Sequence, residues 1–251
     1  TRKNDTILID KYFEASTEYY YLNEFEKSKK MALFSLSLSR VVNDSARIAK
    51  SYYYLGDSYE NTYKDSANYY YNIAEKTYRL LKKKTSESHM IYNEAYLLFY
   101  NGNYIECELL LTKALKKLEK TDDYELIFTC YTLLGNTLEK QSKIDEAIVY
   151  NNLAKTVLQK LENSQIKKSI ITDNYIATII NECNLNNKKG QYEKSIKLLK
   201  TFLTDKLKKE NKRFYSIVLG NLAYSLMKSG STQHVERMLL ESLELSKKHG
   251  N

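Results

Sequence analysis

Proline is absent from this chain of 251 residues, and glycine occurs only seven times. Sheet proteins draw heavily on both for their turns, so little turn chemistry is left here for β-hairpins. The scarcity points to an all-α protein. No stretch approaches the roughly 18 consecutive apolar residues of a membrane-spanning helix, and the opening "TRKNDT" lacks the character of a secretory leader. Because the chain opens on Thr1 rather than methionine, a trimmed piece is expected, with any leader, membrane segment or output domain lying outside it.

Cysteine is scarce as well. Cys107, Cys130 and Cys183 are far apart, odd in number and without CxxC spacing, a pattern of neither a disulfide framework nor a zinc site. Arginine stands only at Arg2, Arg40, Arg47, Arg79, Arg213 and Arg237; lysine supplies the rest of the 39 basic residues, which against 31 acidic ones give a net charge of +8. Arginine's planar fork is the better reader of phosphates and bases, and these lysines are interleaved with glutamates along the chain. They read as a solvated surface, with no specific nucleic-acid partner and no membrane contact within the segment. The densest run, Lys82-Lys83-Lys84, falls near a helix end, where cations suit the dipole.

The catalytic inventory is equally thin. His89, His234 and His249 belong to no HExxH, and there is no GxxxxGK[ST], no GxGxxG and no nucleophile in a recognisable motif. Asp122 and Asp123 are placed as helix caps. A non-catalytic protein is expected, with no cofactor and no metal.

What the chain does have is apolar mass, 43% hydrophobic residues and 24 tyrosines, enough for a substantial core. It also has internal repetition. The clearest unit is "CYTLLGNTLEKQSKIDEAIVYNNLAKTVL", with Tyr131, Leu134, Gly135, Leu138, Ile144, Ala147, Asn151 and Ala154. A small residue on a first helix recurs at Ser16, Gly56, Ala95, Gly135, Cys183 and Ala223, at intervals of 40, 39, 40, 48 and 40. Polar breaks at "VVNDS", "KKTSES", "EKTDD", "LENSQ" and "KKENK" separate the copies and offer N-caps. No Gly/Ser/Pro-rich linker intervenes, so one array over 1–251 is expected, with hairpins at about 4–42, 43–84, 85–120, 121–163, 164–209 and 210–249. The 48-residue interval predicts an extended helix near 165–188. In this frame Cys107 and Cys183 fill small packing positions.

These spacings resemble the tetratricopeptide (TPR) signature, large-x-x-large-small-x-x-large followed by small-x-x-x-large-x-x-small, in a long version of about forty residues without the closing proline. The resemblance implies a right-handed superhelix of about six antiparallel helical hairpins whose first helices line a concave, peptide- or protein-binding groove. Carried over position by position, the groove residues are Tyr53 and Asp57, with Tyr54 and Glu60; Tyr92, Asn93, Tyr96 and Tyr100, with His89 and Phe99; Asn136 and Lys140, with Thr132 and Glu139; Asn181, Asn184 and Lys188, with Asn187; and Asn221, Tyr224 and Lys228. Asparagine matches a peptide group with both a donor and an acceptor, and tyrosine gives apolar area with a polar tip. The lysine of the chaperone-tail carboxylate clamp is missing, since Tyr53, Tyr92 and Thr132 stand at that position.

Phrases such as "KDSANYYYNIAEK" are similar in style to the extracytoplasmic TPR regions of bacterial two-component sensor kinases and membrane-bound regulators. That likeness implies the sensory part of a signal-transduction protein in the periplasm. A cytoplasmic receptor for a signalling peptide, a scaffold of a large assembly, and RNA binding by the basic helices stay open as alternatives, as does the oligomeric state. The frame also divides the triplet of "SYYYLGDSY". Tyr52 and Tyr59 should pack around Gly56, whereas Tyr53 and Tyr54 should face the groove; Tyr19 and Tyr71 should pack, and Tyr20 and Tyr21 should not.

Overall fold

A computed structural model describes residues 2–161 and 168–249. Among the described residues there are thirteen helices and no strand. They run α1 (Arg2–Tyr21), α2 (Phe25–Val41), α3 (Ser45–Glu60), α4 (Lys64–Leu80), α5 (Lys84–Tyr100), α6 (Tyr104–Leu118), α7 (Tyr124–Lys140), α8 (Ile144–Leu161), α9 (Lys168–Lys188), α10 (Tyr192–Phe202), α11 (Asp205–Glu210), α12 (Lys212–Lys228) and α13 (Val235–His249). Packing divides the chain into two units, Thr1–Leu133 and Leu134–Asn251, with the boundary inside α7.

The turns show how a proline-free chain reverses so often. Most end in a Schellman motif, in which one residue adopts the left-handed conformation and the next amide reaches back to the helix. After α1, Asn23 has φ 58° and the Glu24 amide donates to the Tyr19 carbonyl at 2.9 Å. Gly102 and Gly190 serve the same role after α5 and α9, at φ 80° and 71°. Lys82 and Ser142 do so after α4 and α7, although their side chains disfavour it, at φ 57° and 63°. Capping follows the polar breaks in part. Asp44 accepts from the Ala46 and Arg47 amides, Asp123 from Leu126 and Asn211 from Phe214. At "KKTSES" the expectation fails, because α5 starts at Lys84 and its N-cap, Lys83, makes no side-chain cap.

In unit 1 the hairpins α1–α2, α3–α4 and α5–α6 pack in succession, α2 on α3 and α4 on α5. Their cores combine small and large residues, as in the cluster of Ala49, Ala67, Tyr71, Ala74, Tyr78, Met90 and Leu97. In unit 2, α9 packs on α8 and α10, and α12 on α10 and α13, around Ile176, Ile179, Cys183, Ile196, Leu199, Val218 and Leu222. Residues 12 apart close two of the hairpins at their small positions. Ser16 and Ser28 exchange hydroxyl-to-carbonyl hydrogen bonds of 3.0 and 2.9 Å, and the Ser195 hydroxyl donates to the Cys183 carbonyl at 2.9 Å.

The long fourth interval has its expected cause in part: α9 is 21 residues long. The break at "LENSQ" falls, apart from Leu161, outside the described residues. Two features were not anticipated. A short helix, α11, capped by Thr204, stands between α10 and α12. Part of the lysine surface is not merely solvated: Glu75 and Glu87, 4% and 3% exposed, are paired with Arg79, Lys113 and Lys117 across α4, α5 and α6.

Candidate functional site

In unit 1 the first helices α1, α3 and α5 present tyrosines and two carboxylates on adjoining turns. Asp57 and Glu60 lie one turn apart on α3, both half-buried. The Tyr71 hydroxyl, arriving from α4, stands 2.8 Å from Asp57 Oδ1 and 2.9 Å from Glu60 Oε2. Tyr20 on α1 donates to Glu60 Oε1 at 3.5 Å, and Tyr53 to Asp57. Gly56 makes this arrangement possible. A Cβ there would lie 2.3 Å from Tyr71 Cε1 and 2.5 Å from its Cδ1, so the ring occupies the space a side chain would need.

Burial pushes the Asp57 carboxyl up to about 7, and the tyrosine hydroxyls pull it down only partly. Glu60 is raised by the same cause, and Tyr20 is pushed up to about 12 by burial and by the Glu60 charge. His89, whose ring lies 5.2 Å from that of Tyr53, is lowered by burial and stays neutral near pH 7.

Tyr92, Tyr96 and Tyr100 follow at four-residue spacing on α5, hence on one helix face. Their ring centroids are 6.4 and 4.7 Å apart, and Tyr100 is 59% exposed. Tyr92 and Tyr96 are raised, first by burial, with the Glu60 charge among the further causes, which ties the row to the carboxylates on α3. Of the expected groove residues in unit 1, Tyr53, Asp57, Tyr92, Tyr96 and Tyr100 thus share a face. Asn93 points elsewhere, being 8% exposed.

The triplets divide more finely than the repeat frame implies. Tyr71 is wholly buried, while Tyr21 is 77% exposed. Tyr52 and Tyr59 are half-buried, each stacking on Tyr70. Tyr53 packs on the core and keeps a half-buried edge. Tyr71 is the residue that sequence reasoning placed in the core without seeing that its hydroxyl serves the site; the signal was a large aromatic opposite a glycine that directly precedes Asp57.

In unit 2, Asn136, Asn181 and Asn184 are half-buried, and Lys140 is exposed. Lys188 pairs with Glu139 at 2.7 Å, and Lys228 lies 5.7 Å over the exposed Tyr224 ring. Asn221 donates to the Ile217 carbonyl of its own helix at 2.8 Å. Asn187, expected at the groove, is buried and donates to the Ser225 hydroxyl at 2.9 Å. Asn151 likewise donates to the Thr178 carbonyl at 3.1 Å, so several asparagines bind helices together.

Burial pushes the Cys130 and Cys183 thiols up to about 12, which keeps them protonated and poor nucleophiles. Among the described residues no group of three or more His, Cys, Asp or Glu side chains is placed to hold a metal ion, and no helix is long and apolar enough to cross a membrane.

The sequence matches no family model and no curated protein. In backbone geometry the chain is similar to BtubC from P. vanneervenii, with a TM-score of 0.73 at 16% identity over 90% of this chain and 93% of that one. It is similar to a signal-transduction ATPase with a tetratricopeptide repeat sensor from Pyrococcus horikoshii, at TM-score 0.76 and 13% identity over 96% of this chain and 36% of that one. A putative kinesin light chain with TPR-like repeats from Podospora anserina aligns at TM-score 0.66 and 16% identity over 82% of this chain and 97% of that one. The fold is TPR-like. Helical pairs with small residues at their crossings are what that fold requires; Tyr53 and Asp57 lie on α3 and Tyr92 on α5, each half-buried.

Proposed function

We propose that this TPR-like chain is a non-catalytic protein-binding module that takes an extended segment of a partner, and that it forms the sensory or regulatory part of a bacterial signalling protein. One observation carries the binding reading: Tyr92, Tyr96 and Tyr100 form a row on one face of α5, half-buried at Tyr92 and Tyr96 and 59% exposed at Tyr100, with the Glu60 charge on α3 among the influences on the first two. Rigid tyrosines offer contact area at low entropic cost, and half-buried carboxylates add hydrogen-bonding specificity. A Rap protein complexed with Competence and Sporulation Factor has the same fold, at TM-score 0.65 and 15% identity over 94% of this chain and 65% of that one. That likeness, together with the sensor ATPase, supports the signalling reading.

The test uses the whole chain as bait in a lysate of its source organism, followed by affinity measurement on the purified captured partner. Tyr96→Ala with Tyr100→Ala should weaken that partner at least tenfold, and Asn136→Ala with Asn184→Ala tests the corresponding face of unit 2. A partner whose affinity ignores both pairs overturns the reading of these faces.

A further inference from the structure

Asp57 and Glu60 share one hydroxyl donor. Tyr71 carries a single hydroxyl proton, and its oxygen lies within 2.9 Å of both carboxyl groups. It donates to one, and the other contact closes only when a carboxyl keeps its own proton, which burial makes Asp57 do up to about pH 7; a bound cation would take that proton's place. The two carboxylates also repel each other at i,i+3 on α3. The two carboxylates buried on α4 and α5, Glu75 and Glu87, are treated differently. Glu75 has Arg79 and Lys113, and Glu87 has Arg79 and Lys117. A chain with a net charge of +8 has left Asp57 and Glu60 to phenols alone as hydrogen-bond donors. Neutral His89 contributes no charge to the same face, and aromatic rings flank the pair.

We propose that this face of unit 1 docks a basic segment of a partner polypeptide, seating a lysine or arginine side chain between Asp57 and Glu60 against the rings of Tyr53 and Tyr92. The inference rests on the protein-binding reading and names the chemistry of the partner. A guanidinium brings five donors and an ammonium three, so either one satisfies both carboxylates at once. The ring faces attract the same cation through their quadrupoles. A chain this basic repels a lysine-rich segment at long range, so the attraction has to be local, and the acidic pair among tyrosines supplies it.

The test measures fluorescence anisotropy of three labelled 12-residue peptides on the whole protein. They share one glycine-serine-leucine scaffold and differ only at three positions, which are arginine, glutamine or glutamate. The arginine peptide should bind about tenfold tighter than the glutamine peptide, and the glutamate peptide weakest. Glu60→Gln alone, on a half-exposed side chain, should remove most of that preference, and Asp57→Asn with Glu60→Gln all of it, with unchanged circular dichroism. Asp65→Asn with Glu106→Gln, both exposed and carried by the second helices α4 and α6, should leave it intact. A preference that survives the Asp57 and Glu60 substitutions, equal binding of all three peptides, or no binding of any overturns the proposal. The module reading fails separately, when a captured natural partner ignores the tyrosine substitutions.

Discussion

Two glycines at the same repeat position should respond to alanine in opposite directions. In both Gly56 and Gly135 a helical glycine is replaced by the best helix former, a gain of about 1 kcal/mol. At Gly135 the new Cβ meets the Ala147 carbonyl oxygen at 3.5 Å and nothing nearer, an ordinary contact. Gly135→Ala should therefore stabilise the protein by about 0.5–1 kcal/mol. At Gly56 the Cβ would lie 2.3 Å from the ring of Tyr71. That ring is wholly buried and tethered by its hydroxyl to α3, so it cannot swing aside freely. Overpacking of this kind costs about 1–3 kcal/mol, and losing a hydrogen bond to a charged group costs about 1.5–3 more. Against the propensity gain, Gly56→Ala should destabilise by about 1.5–5 kcal/mol. Urea unfolding followed by circular dichroism reads both. In a Tyr71→Leu background the ring atoms that clash are gone, and Gly56→Ala should become neutral or stabilising, a coupling of about 3 kcal/mol. If Gly56→Ala alone raises stability as Gly135→Ala does, the placement of Tyr71 beneath α3 is refuted.

Three further outcomes follow from the same geometry. Asp57 titrates near 7 in the folded chain and near 3.9 unfolded, so the folded state binds the extra proton; its stabilising contribution is complete below pH 4 and is lost as pH rises through 7. The stability of Asp57→Asn relative to wild type should consequently grow by about 2 kcal/mol between pH 5 and pH 8 in denaturant titrations. Lys82, at φ 57°, bears a left-handed conformation that costs a side-chain-bearing residue about 1 kcal/mol; Lys82→Gly should raise the thermal midpoint by a few degrees, and a fall would mean that the lysine has a compensating contact. Glu87→Gln removes the charge shared by Arg79 and Lys117, and because both cations remain partly hydrated the cost should be about 2 kcal/mol rather than the larger price of a wholly buried pair, measured by urea unfolding.

The repeat frame was legible because packing constraints recur at fixed spacing. Ser16, Ala95, Cys183 and Ala223 are all 0% exposed, since each stands where two helices cross. The turns were harder to read because the left-handed position is defined by backbone geometry and not by residue type. Asn23 and Gly102 satisfy it cheaply, but Lys82 and Ser142 carry no sequence signal for it. The ion network on α4, α5 and α6 was hidden for a different reason. Glu75 meets Lys113 38 residues away, a partnership that depends on how neighbouring hairpins stack, whereas i,i+4 charge patterns report only on a single helix. That Asn187, expected at the groove, and Asn151, a position of the repeat unit, tie helices together was hidden likewise, since an asparagine joining two helices has the same sequence spacing as one facing solvent.

The tyrosine-rich composition acquires a physical meaning in this fold. A phenylalanine at position 71 would fill the same volume beneath Gly56 but would leave Asp57 and Glu60 without their shared donor. A smaller residue would leave a cavity and release α4 from α3. Tyrosine joins the two roles in one side chain, an apolar body for the hairpin core and a polar tip that reaches the exposed face. Packing within the α3–α4 hairpin and the electrostatics around Asp57 and Glu60 are therefore coupled through a single hydroxyl. Tyr71→Phe separates them: it should preserve the helical content while raising the Asp57 carboxyl further, because the hydroxyl is the largest influence opposing burial there. A carboxyl resonance in the variant that titrates at the wild-type pH would show that the two are independent.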